Sequence, residues 1–188
     1  MAYYCISSRV GAENKLIPHL QKEFERTFED ADDVEIVFPY KLIRERHGKV
    51  YVETKKPLLP GYILLRTEQE LGYYARDIHQ NPYCFGLVRN RVDNTFRMFG
   101  NDIAYAEWVY TYDGLIKPSK VTLELGSVVR VVSGPLVDCC GEVAKVDKRS
   151  KKIGITMDII GAKRLVWLPV DILEVPVADK DVKRVFEK

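Results

Sequence analysis

The sequence has little cysteine, and none of it is arranged to hold a metal. Its four cysteines, Cys5, Cys84, Cys139 and Cys140, form no CxxC pair, and adjacent cysteines rarely close a comfortable disulfide. A reducing, cytoplasmic setting is therefore expected. The histidines, His19, His47 and His79, are too scattered for a metal site. No phosphate loop, nucleophile elbow or paired-carboxylate motif occurs, so no enzyme, catalytic residue or cofactor is expected. No uninterrupted apolar run approaches the ~20 residues that a membrane helix needs. The opening MAYYCISSRVGAENK has no basic region ahead of a long apolar segment. Neither a signal peptide nor a membrane partner is expected. Net charge is small as well: +2 decides nothing about partners.

What is present suits a folded monomer. Apolar residues make up 46% of the chain and charged residues 30%, enough for a core and a solvated surface. The 188 residues permit one ordinary domain or two small ones. YYCIS reads as a strand. Leu16, Leu20, Phe24 and Phe28 recur at helical spacing, predicting an amphipathic helix from about Ala12 to Phe28. Pro18 lies within it and fits best near the first turns. VEIVFPY predicts a strand, KLIRERHGKVYVET a hairpin turning at His47–Gly48, and GYILLRTE a strong strand. QELGYYARDIHQ predicts a short helix, CFGLVR a strand, and NDIAYAEWVYTYDG a helix stopped by Gly114. Beyond LIKPSKV the helical periods vanish. SVVRVVSGP, GEVAKVDK, KKIGITMDI, AKRLVWLPV and DILEV are five short strand-like runs, the pattern of a small antiparallel barrel.

Charge is unevenly spread. Between Lys145 and Arg164 stand seven basic residues, Lys145, Lys148, Arg149, Lys151, Lys152, Lys163 and Arg164, against Asp147 and Asp158. DKRSKK has the composition of a polar turn, and equally of a phosphate-binding surface for RNA.

The segments YYCISSRVGAENKLIPHL, PLLPGYILLR, NPYCFGLVR and LGSVVRVVSGPLVDCCGEVAKVD occur in that order over nearly the whole chain. Together they resemble the NusG family of transcription elongation factors. The first matches the family's opening strand, small-residue turn and first helix. The second matches its Phe-Pro-Gly-Tyr strand motif, with Leu59 in the first place. The third stands where members carry a Pro-containing turn before a strand. The fourth looks like the KOW motif, with Gly134 and Gly141 at the expected places. The resemblance implies an α+β fold. An NGN domain, an antiparallel sheet flanked by helices, would span residues 1–114. A linker (115–121), an SH3-like KOW β-barrel (122–176) and a charged tail (177–188) would follow.

The resemblance also implies sites and partners. Leu59, Pro60, Tyr62, Phe85 and Val88 would form the apolar surface that receives the clamp helices of RNA polymerase. Leu58 is left unassigned. Tyr74 and Arg76 would face the polymerase gate loop. Arg9, Lys15 and His19 would face the non-template DNA strand; Lys15 and His19 share a helix face at i, i+4. The basic barrel segment would bind structured nascent RNA, such as a hairpin. Housekeeping members carry aromatics near the Gly-Pro of the KOW motif, where this chain has Leu136 and Cys139–Cys140. That favours a specialised antiterminator of the LoaP or RfaH kind, suppressing pausing and termination. A housekeeping factor coupling polymerase to the ribosome and Rho is the alternative. A thiol-dependent regulator using Cys139 and Cys140 is a third reading. The β-branched SVVRVVSGP run favours strand, so a stable barrel is expected.

Overall fold

A computed structural model describes residues 1–28, 33–48, 50–90, 93–124, 128–174 and 179–186. The chain begins β1 (Ala2–Ser8), α1 (Glu13–Thr27), β2 (Glu35–Val37), β3 (Tyr40–His47), β4 (Val50–Pro57) and β5 (Tyr62–Thr67). A 3-10 turn at Leu71–Tyr74, α2 (Ala75–Ile78), β6 (Cys84–Leu87) and α3 (Asn101–Thr111) follow. Strands then dominate: β7 (Leu115–Ile116), β8 (Ser119–Leu123), β9 (Val129–Ser133), β10 (Glu142–Asp147), β11 (Lys152–Ile159), β12 (Ala162–Ile172) and β13 (Arg184–Phe186). Packing divides the chain into two compact units, Met1–Pro39 with Leu59–Ala106, and Tyr40–Leu58 with Glu107–Lys188.

The first unit is built on a sheet of order β2-β5-β1-β6. β1 runs antiparallel to β5 from Ala2↔Thr67 to Ser7↔Tyr62 and pairs with β6 on its other side. On α1, Leu16, Leu20 and Phe24 are buried, and Phe28 beyond its end is buried too, as their spacing predicts. Pro18 stands in the second turn and is exposed, with its ring on the solvent side. Ile63, Leu64 and Leu65 are all buried, so β5 is covered on both faces. Each such side chain contributes roughly 1.5–3 kcal/mol of transfer free energy.

In the second unit, β3 and β4 form the expected hairpin, from Tyr40↔Pro57 to His47↔Val50, and β7 lies parallel beside β3. The remaining strands make one sheet of order β10-β11-β12-β8-β9-β13. AKRLVWLPV and DILEV, expected as two strands, are a single strand, β12, as far as Ile172. Its first part pairs with β11 as far as Pro169, and Val170–Ile172 then pair with β8. Pro169 has no N–H to donate, which suits the place where a strand changes partner.

Two further expectations change. Residues 115–121, read as a linker, hold β7 and the start of β8, because Ile116 and Val121 are buried apolar side chains. Within the stretch read as a charged tail, Arg184–Phe186 pair with β9 and Phe186 is buried; residues 175–178 and 187–188 lie outside the described residues. The Arg184 guanidinium donates to the carbonyls of Val137 (3.2 Å), Cys139 and Gly141 (3.4 Å) and stacks 4.3 Å above the Phe186 ring. It thereby joins the β13 edge of the sheet to the loop that enters β10, and the sheet curls round on itself.

The two glycines picked out in the sequence are sterically required. Gly134 has φ +97°, and a Cβ there would lie 2.8 Å from Ser119 Cα. A Cβ on Gly141 would lie 2.3 Å from Ile155 Cγ2 and 2.7 Å from the Thr156 carbonyl oxygen. We expect Gly141→Ala to destabilise the second unit by about 1–3 kcal/mol, the usual effect of overpacking, as a fall in the urea midpoint.

Candidate functional site

One end of the first unit's sheet is assembled around the Pro60–Gly61 turn. Gly61 adopts φ +84°, and a Cβ there would press on the Ser8 carbonyl oxygen and Val10 Cγ2, both at 3.2 Å. The turn is held from both sides. Ser8 N–H donates to the Gly61 carbonyl at 2.8 Å, and Gly61 N–H donates to Glu13 Oε1 at 2.7 Å. Glu13 is a buried carboxylate in the first turn of α1, where backbone N–H groups and the helix dipole favour negative charge. The start of α1, the end of β1 and the start of β5 therefore meet at this turn.

Across β1 the ladder is irregular. Ser7 opposes Gly86 but Ser8 opposes Cys84, so Phe85 is the extra residue of a β-bulge. Gly86, at φ +106°, supplies the backbone conformation, and a bulge of this kind turns a side chain away from its usual direction. Phe85 is 62% exposed. Arg9 N–H donates to the Tyr83 carbonyl at 2.9 Å, which places Arg9 and Val10 between the Tyr83–Phe85 segment and the Pro60–Gly61 turn. Val10 is 68% exposed.

Of the apolar surface read from sequence, Pro60, Tyr62 and Phe85 are thus brought to one end of the sheet. Leu59, next to the Pro60–Gly61 turn, is only 7% exposed. Leu58, unassigned from sequence, is buried. Val88 lies further along, half-buried, with its N–H on the Cys5 carbonyl. Val10 was missed in the sequence because an exposed Val beside a charged residue looks like an ordinary turn. Arg9, Lys15 and His19 are all exposed, and Arg9 and the first turn of α1 belong to this same end. Tyr74 has a packing role, its ring edge-on to Phe28 at 4.7 Å, while Arg76 is exposed. The neighbouring Tyr73, passed over in the sequence, is 85% exposed.

In the second unit the seven basic residues do not form one surface. Lys145, Lys148, Arg149, Lys151 and Lys152 gather round the β10–β11 turn. Lys163 and Arg164 pair with Asp158 and Met157 at the far end of β11, about 20 Å away at ~3.3 Å per strand residue. Arg164 is half-buried and donates Nε to the Ile159 carbonyl.

The SGPLVDCC loop is packed against the end of α3. Trp108 Nε1 donates to the Pro135 carbonyl at 2.8 Å, and Tyr112 Oη donates to Asp138 Oδ2 at 2.5 Å. Burial and the Asp138 carboxylate push the Tyr112 hydroxyl up to about 12. Leu136 and Cys139 are buried. Burial pushes the Cys139 thiol up to about 12, and desolvation raises Cys140 as well. Neither thiol has the depressed pKa of a reactive cysteine. Among the described residues, no group of three or more His, Cys, Asp or Glu side chains is placed to hold a metal ion, and no helix is long and apolar enough to cross a membrane.

The chain thus joins an α+β unit, with its Pro-Gly turn and exposed apolar sheet end, to a curled sheet that depends on Gly134 and Gly141. Residues 1–103 match the family described as "Transcription termination factor nusG", and the chain belongs to the NusG family. It is 24% identical over 167 residues to the transcription termination/antitermination protein NusG of Pseudomonas aeruginosa, covering 88% of this chain and 93% of that protein. It is 26% identical over 178 residues to the Staphylococcus aureus protein of the same name, covering 92% and 94%. A solved structure on domain interaction in Thermotoga maritima NusG has the same fold, with a TM-score of 0.53 and 21% identity over 89% of this chain and 93% of that one. These relatives are transcription termination/antitermination factors and not enzymes, and the α+β fold expected from sequence is the one found.

Two outcomes follow. Glu13→Ala leaves the Gly61 amide without its buried acceptor; we expect a loss of about 1–3 kcal/mol and faster hydrogen exchange at Gly61 by NMR, with Glu13→Gln recovering most of both. Because the Cys139 thiol titrates near 12, almost none of it is thiolate at neutral pH. Its alkylation by iodoacetamide should be far slower in the folded protein than in denaturant, where thiols titrate near ~8.5, and should accelerate only as pH rises.

Proposed function

We propose that this chain is a specialised antiterminator of the LoaP or RfaH kind that binds RNA polymerase and suppresses pausing and termination. The observation that carries the reading is the exposed apolar sheet end, where a bulge presents Phe85 beside Val10, Pro60 and Tyr62. A helix tip, such as the polymerase clamp helices offer, can bury that patch, and a few central anchors then supply most of the binding energy. Leu59 is buried next to the turn. Arg9, Lys15 and His19, exposed at or near the same end, suit the phosphates and bases of the displaced non-template DNA strand. Arg76 and the exposed Tyr73, with Tyr74 as packing support, are the candidates for the gate-loop side.

In this reading the first unit's sheet end grips the clamp and favours the elongating state. Such a factor works only by binding the active conformation better than the paused one. The NGN module, residues 1–114, and the KOW module, from residue 122, belong to the same proposal, as does a monomer acting in the cytoplasm. The basic turn from Lys145 to Lys152 holds structured nascent RNA through its phosphates, and Lys163 and Arg164 form a second, separate contact.

The specialised role is favoured over a housekeeping factor bound to the ribosome and Rho. Leu136 and Cys139, which stand where housekeeping members carry aromatics, are buried beside Trp108 and Tyr112. A thiol-dependent role is disfavoured by two thiols whose pKa values are raised.

The test is Phe85→Asp. It should weaken binding to core RNA polymerase roughly tenfold or more, measured by biolayer interferometry, with an unchanged circular dichroism spectrum. Leu59→Asp is the poorer probe, since a buried charge at that position unfolds the unit. Unaltered affinity of the Phe85→Asp protein would refute the docking surface.

A further inference from the structure

We propose that a cleft within the second unit, between the β3–β4 hairpin and the β10–β11 turn, is a subsite for one unpaired nucleotide of RNA. The proposal rests on the RNA reading of that turn and adds a wall that the basic run alone does not contain.

The cleft has a volume of about 590 Å³. That falls within the ~300–1,000 Å³ typical of small-ligand pockets, room for one nucleotide. One wall is the hairpin, with Arg46 and Tyr51; the other carries Arg149, Lys151 and Lys152. Arg46 and Tyr51 are direct cross-strand partners, so guanidinium and ring share a face. Tyr51 is 68% exposed, an aromatic platform beside cations, the combination on which single-stranded bases stack. The lining includes a fifth basic residue, Arg44, and one carboxylate, Asp171, and these two pair with each other at 3.4 Å. Among the described residues, Arg46, Arg149, Lys151 and Lys152 form no salt bridge; Arg46 Nε donates to the Gly48 carbonyl at 2.8 Å, and Lys152 lies across the ladder from Asp147, which it helps to hold ionised, so the cleft carries a net excess of cations. Lys41, behind the wall, donates Nζ to the Trp167 carbonyl at 2.9 Å. Burial first, and the nearby Lys152 second, hold its pKa below the usual lysine range. Lys151 adopts φ +50°, a conformation that glycine takes freely and lysine does not. The turn keeps a cation where its backbone would prefer none.

The choice of RNA over DNA follows from Asp171 and Ser150, which also line the cleft. Each is an acceptor for a ribose 2′-hydroxyl, the group that separates the two nucleic acids. The base stacks on Tyr51, and the flanking phosphates take charge-assisted hydrogen bonds from Arg46, Arg149, Lys151 and Lys152.

The test uses the full chain and a fluorescein-labelled RNA stem-loop with a short unpaired extension carrying 2-aminopurine. The same stem without the extension, and with a DNA extension, serve as comparisons. The extended RNA should bind roughly tenfold more tightly than the blunt stem, the gain from stacking one base, and 2-aminopurine fluorescence should be quenched. Tyr51→Ala should erase both the gain and the quench, while Tyr51→Trp keeps them. Lys151→Gly should weaken binding and lower the salt slope by roughly 0.7 while raising the thermal midpoint. If the stem binds but the extension adds nothing, or Tyr51→Ala changes nothing, the subsite is wrong and the RNA reading of the turn survives. Equal binding of the DNA extension overturns the choice of RNA. Failure of any RNA to bind overturns both proposals.

Discussion

A buried carboxylate taken out of water must be satisfied where it lies, and the first unit is organised around one such group. Glu13 meets the Gly61 amide, and the Gly61 carbonyl meets Ser8. Two hydrogen bonds on one residue tie the start of β5 to the end of β1 and the start of α1, some fifty residues earlier in the chain. Glycine suits the approach, since position 61 has φ +84° and a Cβ there would sit 3.2 Å from the Ser8 carbonyl oxygen and Val10 Cγ2. Arg9, Val10 and Pro60 stand directly beside this junction, while the β1–β6 bulge sets Phe85. A surface of few anchors needs rigidity, because binding energy spent on ordering a loop is lost to affinity.

The second unit solves a different problem, that of a small sheet with two open edges. Arg184 is its answer: one planar cation spans three carbonyls on the loop into β10 while its own strand pairs with β9. Gly134 and Gly141 permit the close passages that this curl demands. β12 passes from one neighbour to another at Pro169, so the sheet is continuous without a sixth connection.

Much of this was legible in the residues. The spacing of Leu16, Leu20 and Phe24 located α1, and apolar density located β5, because both signals report burial along a single element. β7, the start of β8 and β13, in the stretches read as linker and tail, are not visible in periodicity because their strand character comes from pairing partners elsewhere. AKRLVWLPV and DILEV were divided after Val170, next to Pro169, a proline that punctuates the run but in the fold marks an exchange of neighbours. At the candidate sites, charge alone grouped Lys163 and Arg164 with the β10–β11 turn, although a strand's length separates them. Leu59, read with Phe85 as part of the exposed apolar surface, is buried, whereas Phe85 is exposed. Hydrophobicity cannot say which apolar side chain faces water, and only the bulge register shows that Phe85 does.

That bulge carries an evolutionary corollary. An extra residue in a ladder has no cross-strand partner to satisfy and no core face to fill, so position 85 is decoupled from the packing of its own sheet. Its side chain can change size, polarity or charge at a cost close to that of an ordinary surface position, within roughly ±0.5 kcal/mol. The chemistry displayed at the sheet end can therefore drift toward a new partner while the fold that displays it stays still.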